Sequence, residues 1–306
     1  MRREYMNSSR QKLPNLFIVG AAKSGTTSLY TYLAHHPDVY MCGTKEPNFF
    51  SEVGKSSKDR RPLSLTEYLA LFKQYGAQRF IGEASPSYLW ESRTAQRIDS
   101  MCPQAKIIVI LRDPVERAYS HYLMDRQLGE QRELSFLRAI EKDLAEEHPM
   151  WWATHLYVAL GMYYEQIRRY VDRFGENVLI LFFEELRSAP ETVLRRVASF
   201  LDIDEAGFAT VDVTVAHNAY SAPRPRNVLV GSLLTQERFA PWRILPQATR
   251  HKIAERFLLK KDEKPPLIDA QAVSFLRDLF DPDIERLERF LHRPLPELRS
   301  VGDLEH

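Results

Sequence analysis

A lysine sits inside a loop of small residues in Asn15-Leu-Phe-Ile-Val-Gly-Ala-Ala-Lys-Ser-Gly-Thr-Thr-Ser-Leu29. A short apolar run precedes the loop and a helix start follows it. Several backbone N–H groups and a positive helix end therefore converge on one spot, which favours an anion. Lys23 adds a full charge there, and Ser24, Thr26 and Thr27 add hydroxyl donors around Gly25. Gly20 and Gly25 have the spacing of the phosphate-binding pattern G-x-x-x-x-G-K-[S/T], but Thr26 follows Gly25 and the lysine stands at position 23. With no Lys-Ser/Thr pair after the second glycine, the loop argues against an ordinary ATPase or kinase. It suggests a loop built to hold a phosphosulfate.

The elements that must position this loop alternate. Leu16–Val19 reads as a buried strand and Thr26–His35 as a helix that Pro37 ends. Phe80–Glu83 is a short strand. Lys106–Leu111 is an unbroken, largely β-branched run of the kind found in a central parallel strand. Asp113-Pro114 supplies an N-cap and first-turn proline for a helix with Val115, Ala118, Tyr119 and Tyr122 on one face. Val178–Phe183 is another buried strand, and a helix over 191–201 follows it. Asp281-Pro282 is expected to cap a last helix striped by Ile284, Leu287 and Leu291. Such alternation predicts a parallel sheet with helices on both faces, whose ligands bind at the C-terminal strand ends.

The chain of 306 residues fits a single α/β domain, with a tail over 1–13 and insertions over 127–160 and 214–270. A formal net charge of +1 gives no global field to attract nucleic acid or an acidic membrane, so anion binding must be local. Cys42 and Cys102 lack disulfide-scaffold and metal-site spacing and read as reduced thiols. No apolar segment approaches the ~18 residues of a membrane span, and the expectation is a soluble, cytoplasmic protein.

Four segments together resemble the sulfotransferases that use 3′-phosphoadenosine 5′-phosphosulfate (PAPS), specifically their heparan-sulfate and bacterial branch. Lys23-Ser-Gly-Thr-Thr27 is similar to the 5′-phosphosulfate loop. Ile107-Ile-Val-Ile-Leu-Arg-Asp-Pro-Val-Glu-Arg-Ala-Tyr-Ser120 is similar to the 3′-phosphate motif. Lys45-Glu-Pro-Asn-Phe-Phe50 and Glu83-Ala-Ser-Pro-Ser-Tyr88 resemble the intervening segments, and the pattern continues through Gly161-Met-Tyr-Tyr-Glu-Gln to Pro190. The resemblance implies a P-loop, nucleotide-kinase-like α/β fold. It also implies a sulfuryl transfer from PAPS to a hydroxyl, less readily an amine, of a small-molecule or carbohydrate acceptor.

Carried over residue by residue, the resemblance makes Lys23 the group that neutralises the leaving oxygen, with Ser24, Gly25, Thr26 and Thr27 holding the same phosphate. Arg112 and Ser120 would grip the 3′-phosphate, and Glu46 would be the general base. Lysine and backbone donors supply the charge, so no metal is expected. Glu83 and Ser85 are expected near the acceptor. Ala84 replaces a lysine of the heparan-sulfate enzymes; with the near-neutral charge and the missing membrane anchor, this counts against a polyanionic glycan. Asn218-Ala-Tyr-Ser-Ala-Pro-Arg-Pro-Arg226 resembles a bacterial segment in which Arg224 or Arg226 would close over the nucleotide; its prolines equally suit an exposed loop.

Bland readings stand beside these. Taken singly, Glu46 is a surface loop acid, Arg112-Asp113 a structural ion pair and Ser120 a helix-face serine. His121 points away from Ser120 by about 100° on an ideal helix and reads as structural. His35-His36 cap the first helix, and Trp151-Trp152 with His148, His155 and Tyr157 line an acceptor pocket or bury a lid. The rival functions are a P-loop kinase of a small metabolite and a non-catalytic nucleotide-binding module. The shifted lysine disfavours the first, and the joint presence of Lys23, Glu46, Arg112 and Ser120 disfavours the second.

Overall fold

The computed structural model describes residues 13–52, 63–147, 150–151, 155–213, 224–225, 259–260 and 267–300. Five strands form one sheet: β1 (Leu16–Gly20), β2 (Val39–Met41), β3 (Phe80–Ala84), β4 (Lys106–Leu111) and β5 (Val178–Phe182). Their order is β2-β3-β1-β4-β5, and every pairing is parallel. The chain passes from one side of β1 to the other between β3 and β4, which puts the topological switch at the loop carrying Lys23.

The helices are α1 (Thr26–Ala34), α2 (Leu65–Ala70), α3 (Ser87–Trp90), α4 (Thr94–Met101), α5 (Pro114–Leu128), α6 (Phe136–Leu144), α7 (Tyr163–Phe174), α8 (Phe183–Ser188), α9 (Pro190–Leu201) and α10 (Ala270–Leu291). Alternate strand residues feed two cores, because strand side chains point to opposite faces. Leu16, Ile18, Ile108 and Ile110 pack with Leu29 and Leu33 of α1 and Leu194, Val197 and Leu201 of α9. Phe17, Val19, Ile107, Val109 and Leu111 pack with Val115 and Ala118 of α5, Ile167 and Tyr170 of α7, and Leu276, Phe280 and Ile284 of α10. Two buried faces explain why β1 and, after Lys106, β4 are apolar rather than alternating.

Asp113 caps α5 by accepting from the Val115 and Glu116 N–H groups, with Pro114 at the first turn, as expected. Two expectations change. Asp281-Pro282 does not start the last helix: α10 begins at Ala270, capped by Asp269, and runs through Pro282. Ala272, Leu276, Phe280, Ile284 and Leu287 are buried on both sides of the proline. That burial outweighs the roughly 3 kcal/mol cost of an internal proline. β5 stops at Phe182, where α8 begins; it is an edge strand whose first three residues are only part-buried. The stretch 127–160 holds the end of α5, at Leu128, and α6; most of 214–270 lies outside the described residues.

Candidate active site

All five strands end on one edge, so the loops after them meet there. The loop after β1 carries Lys23 with φ +67° and Gly25 with φ +86°. A Cβ on Gly20 would stand 2.7 Å from Leu89 Cβ and one on Gly25 3.0 Å from the Phe183 ring, so φ asks for glycine at both and close packing adds to it, most at Gly20. α1 starts at Thr26 with no side-chain cap on its first N–H groups. Ser24 is fully buried and its Oγ has no hydrogen-bond partner. An orphaned hydroxyl beside uncapped amides and a lysine is a cradle suited to a phosphate-type oxygen anion.

The loop after β4 begins with Arg112. Its Nη1 donates to the Lys23 carbonyl at 3.3 Å, and its Nε donates to Glu116 at 3.0 Å. The guanidinium lies 4.5 Å from the centre of the Phe183 ring. Arg112 and Asp113 do not serve each other: Asp113 pairs with Arg277 of α10. The strand end therefore presents Arg112 beside the phosphate loop, while Asp113 fastens α5 to α10. Ser120 is part-buried on α5. Met124, one turn further along α5, accepts from Lys23 Nζ at 3.3 Å and so fixes how the lysine approaches α5.

The loop after β2 carries Glu46 and Asn48, both in the left-handed region with φ +58° and +52°. Lys45 Nζ donates to Glu46 Oε1 at 3.0 Å and to Thr27 Oγ1 at 2.6 Å. The proposed base and the phosphate-loop helix are thus joined by one ammonium, and the Glu46 carboxylate stays one-third exposed. Lys45 had no role assigned from sequence; its place directly before Glu46 was the available signal.

Glu83 and Ser85 lie deeper than the sequence suggested. Glu83 is 1% exposed and accepts hydrogen bonds from the Tyr68, Tyr88 and Ser85 hydroxyls, so its carboxylate presents no open surface to an acceptor. Burial pushes it up to about 7, against the three hydroxyl bonds that act to lower it. His121 is shifted the other way: burial pushes it down to about 3, although the nearby Asp125 favours the charged ring. This fits a structural histidine, and Tyr157 is likewise buried, with its hydroxyl on Asp125. His155 donates to Asp125 and stacks on Tyr157, and Trp151 meets Trp90; His148 and Trp152 lie outside the described residues. Cys42 and Cys102 are free and buried, with burial pushing their thiols up to about 11 and about 12. Arg224 lies in β6 (Arg224–Pro225), which pairs with β7 (Leu259–Lys260) and runs beside α5; Arg226 lies outside the described residues.

The Glu83 shift has a consequence for stability. Between the ordinary carboxyl value of 4.5 and about 7 the folded protein holds a proton on Glu83 that the unfolded chain has released. Stability from this group therefore falls as pH rises through that window. His121 opposes it, because between about 3 and 6.5 the unfolded chain binds the proton instead. The two are separated by comparison with Glu83→Gln. The variant is expected to gain on the parent by about 3 kcal/mol as pH rises across the carboxyl window. Denaturant unfolding at a series of pH values would show it, and a flat difference would contradict a buried Glu83 carboxyl.

A sulfotransferase-domain family model matches residues 13–239. A human bifunctional heparan sulfate N-deacetylase/N-sulfotransferase 3 is 27% identical over 305 residues, 93% of this chain and 31% of the relative. A mouse heparan sulfate glucosamine 3-O-sulfotransferase 6 is 32% identical over 197 residues, 63% of this chain and 54% of the relative. The chain thus spans about a third to a half of the length of these relatives. A solved sulfotransferase from Alicyclobacillus acidocaldarius is 29% identical, with a TM-score of 0.69 over 94% of this chain and 100% of its own.

Proposed function

The chain belongs to the sulfotransferase family, and on that footing we propose that it transfers a sulfuryl group from PAPS to the hydroxyl of a small-molecule or carbohydrate acceptor by in-line displacement. An amine is the less favoured acceptor. The observation that carries this reading is the cradle of Lys23 and the orphaned Ser24 hydroxyl, with Arg112 on one side and Glu46 on the other. PAPS supplies a sulfuryl group whose bond to the 5′-phosphate oxygen breaks as the acceptor oxygen bonds to sulfur.

Each residue then has a task set by its place. Lys23 and the first amides of α1 offset the charge that grows on the departing phosphate, and they are preorganised for it. Arg112 and Ser120 hold the 3′-phosphate, which plain AMP lacks. Glu46 takes the acceptor proton, and Lys45 orients that carboxylate from the phosphate-loop side. The two heparan sulfate relatives are named for N- and 3-O-sulfation respectively, which suits a shared frame with variable acceptors.

The assignment of the nucleotide has a direct test. The protein is expected to bind adenosine 3′,5′-bisphosphate about thirtyfold or more tightly than AMP, since a charge-assisted pair and a hydrogen bond contribute roughly 2–4 kcal/mol. Arg112→Ala should erase most of that preference. Calorimetry giving equal affinities for the two nucleotides in the parent protein would remove the basis of the reading. Stabilisation by Mg-ATP but not by PAPS or its bisphosphate product, in a thermal-shift assay, would favour a kinase instead.

A further inference from the structure

The buried carboxylate of Glu83 is not idle. It sits at the root of the loop that presents Glu46. Its Oε2 accepts from the Ser85 hydroxyl at 2.8 Å, and its Oε1 accepts from the Tyr88 hydroxyl at 3.0 Å. A hydroxyl has one proton to give. With that proton spent on Glu83, Ser85 and Tyr88 turn lone pairs toward the loop. Ser85 Oγ accepts the Asn48 backbone N–H at 3.2 Å, and the Tyr88 oxygen accepts the Phe50 backbone N–H, also at 3.2 Å. The same segment is tied by the Glu46 N–H to the Ala84 carbonyl at 3.0 Å and by the Ser87 hydroxyl to Asn48 Oδ1 at 2.6 Å.

These ties act on a backbone that needs them. Glu46 and Asn48 both have positive φ without being glycine, a conformation held only where the surroundings over-determine it. Above about pH 7, where Glu83 is ionised, its carboxylate is an acceptor-only group and fixes which way both hydroxyls point. Were either hydroxyl free to turn its proton toward the loop, it would face another donor. The Ser85 hydroxyl would then release the Asn48 amide and the Tyr88 hydroxyl the Phe50 amide, and with both freed the segment after Glu46 would lose two of its ties.

Resting on the reading of Glu46 as the base, we propose that Glu83 is a positioning residue: through Ser85 and Tyr88 it fixes the backbone of the 46–50 loop and so the aim of the Glu46 carboxylate. This moves Glu83 and Ser85 from the acceptor to the support beneath the base.

The test uses sulfate release from PAPS with water as acceptor, at pH 8, together with hydrogen exchange and bisphosphate affinity. Glu83→Gln keeps the volume but cannot accept both hydroxyls as the carboxylate does. It is expected to slow sulfate release about tenfold or more, the scale of a small misplacement of a reacting group. Affinity for adenosine 3′,5′-bisphosphate should stay at the parent value, and exchange at the Asn48 and Phe50 amides should rise while β1 and β4 stay protected. In a Glu46→Gln background the same change should cost almost nothing further, because there is no base left to aim. Ser85→Ala should reproduce the loss and Ser85→Thr restore it; this pair also carries the test if Glu83→Gln does not fold. A Glu83→Gln loss that multiplies with that of Glu46→Gln, or unchanged protection at Asn48 and Phe50, would overturn the positioning role alone. A parental rate in Glu46→Gln by itself would remove the base reading, and this proposal with it.

Discussion

Glu46→Gln is expected to lower turnover by roughly 10²–10⁴-fold while leaving nucleotide affinity almost unchanged. The substitution keeps the size of the side chain and its reach to Lys45, but removes basicity. Among the described residues, the Lys45 ammonium joins Glu46 to the helix after the Lys23 loop, bonding Glu46 Oε1 and Thr27 Oγ1 at once. The loss should depend on the acceptor. A phenol, with a pKa of about 10, needs less help in losing its proton than an aliphatic alcohol does, so its rate should fall less. Turnover of both acceptor types by parent and variant, with calorimetry for the bisphosphate, would measure this. Parental turnover of an aliphatic alcohol by the variant would place the base elsewhere.

Lys23→Ala should damage binding and turnover together. On the proposed reading the lysine charge would meet the 5′-phosphate in the ground state and the growing charge on the leaving oxygen in the transition state, and so would serve both. A charge-assisted contact of this kind corresponds to roughly 10–100-fold in nucleotide affinity, and its loss in the transition state to a further 10²–10³-fold in turnover. The side chain is already directed: Lys23 has a positive φ, its carbonyl accepts from Arg112, and its Nζ donates to Met124. Lys23→Arg would keep the charge but not the compact ammonium, and should recover affinity more fully than rate. Single-turnover rates measured at saturating PAPS separate the two effects. Unchanged single-turnover rates in Lys23→Ala would show that the leaving oxygen is neutralised by another group.

Much of the frame was legible in the sequence because it is local. β4 is a run of apolar residues that must be buried on both faces, and Asp113-Pro114 ends it with a cap that needs no tertiary partner to be recognised. Gly20 and Gly25 with Lys23 between them announced an anion loop, since backbone amides and helix polarity follow from chain order alone. The family followed from several such motifs in one order. What escaped was whatever depends on partners distant in sequence. β2 is three residues long and has no periodicity to read; it exists because Val39, Tyr40 and Met41 pair with Phe80, Ile81 and Gly82. Pro282 looked like a helix start, and only the buried stripe on both sides of it makes it an interior residue. Glu83 looked like an acceptor contact because its segment, Glu83-Ala-Ser-Pro-Ser-Tyr88, resembles one of the family's motifs. Its true surroundings, Tyr68, Ser85 and Tyr88, come from two helices and a loop that fold over it. Lys45 could not be given a role until α1 brought Thr27 to meet it. Residue type and spacing carried the resemblance to a family, while burial and the direction of each hydrogen bond, which no local pattern encodes, decided that the Glu46 carboxylate is part-exposed and the Glu83 carboxylate is enclosed by three hydroxyls.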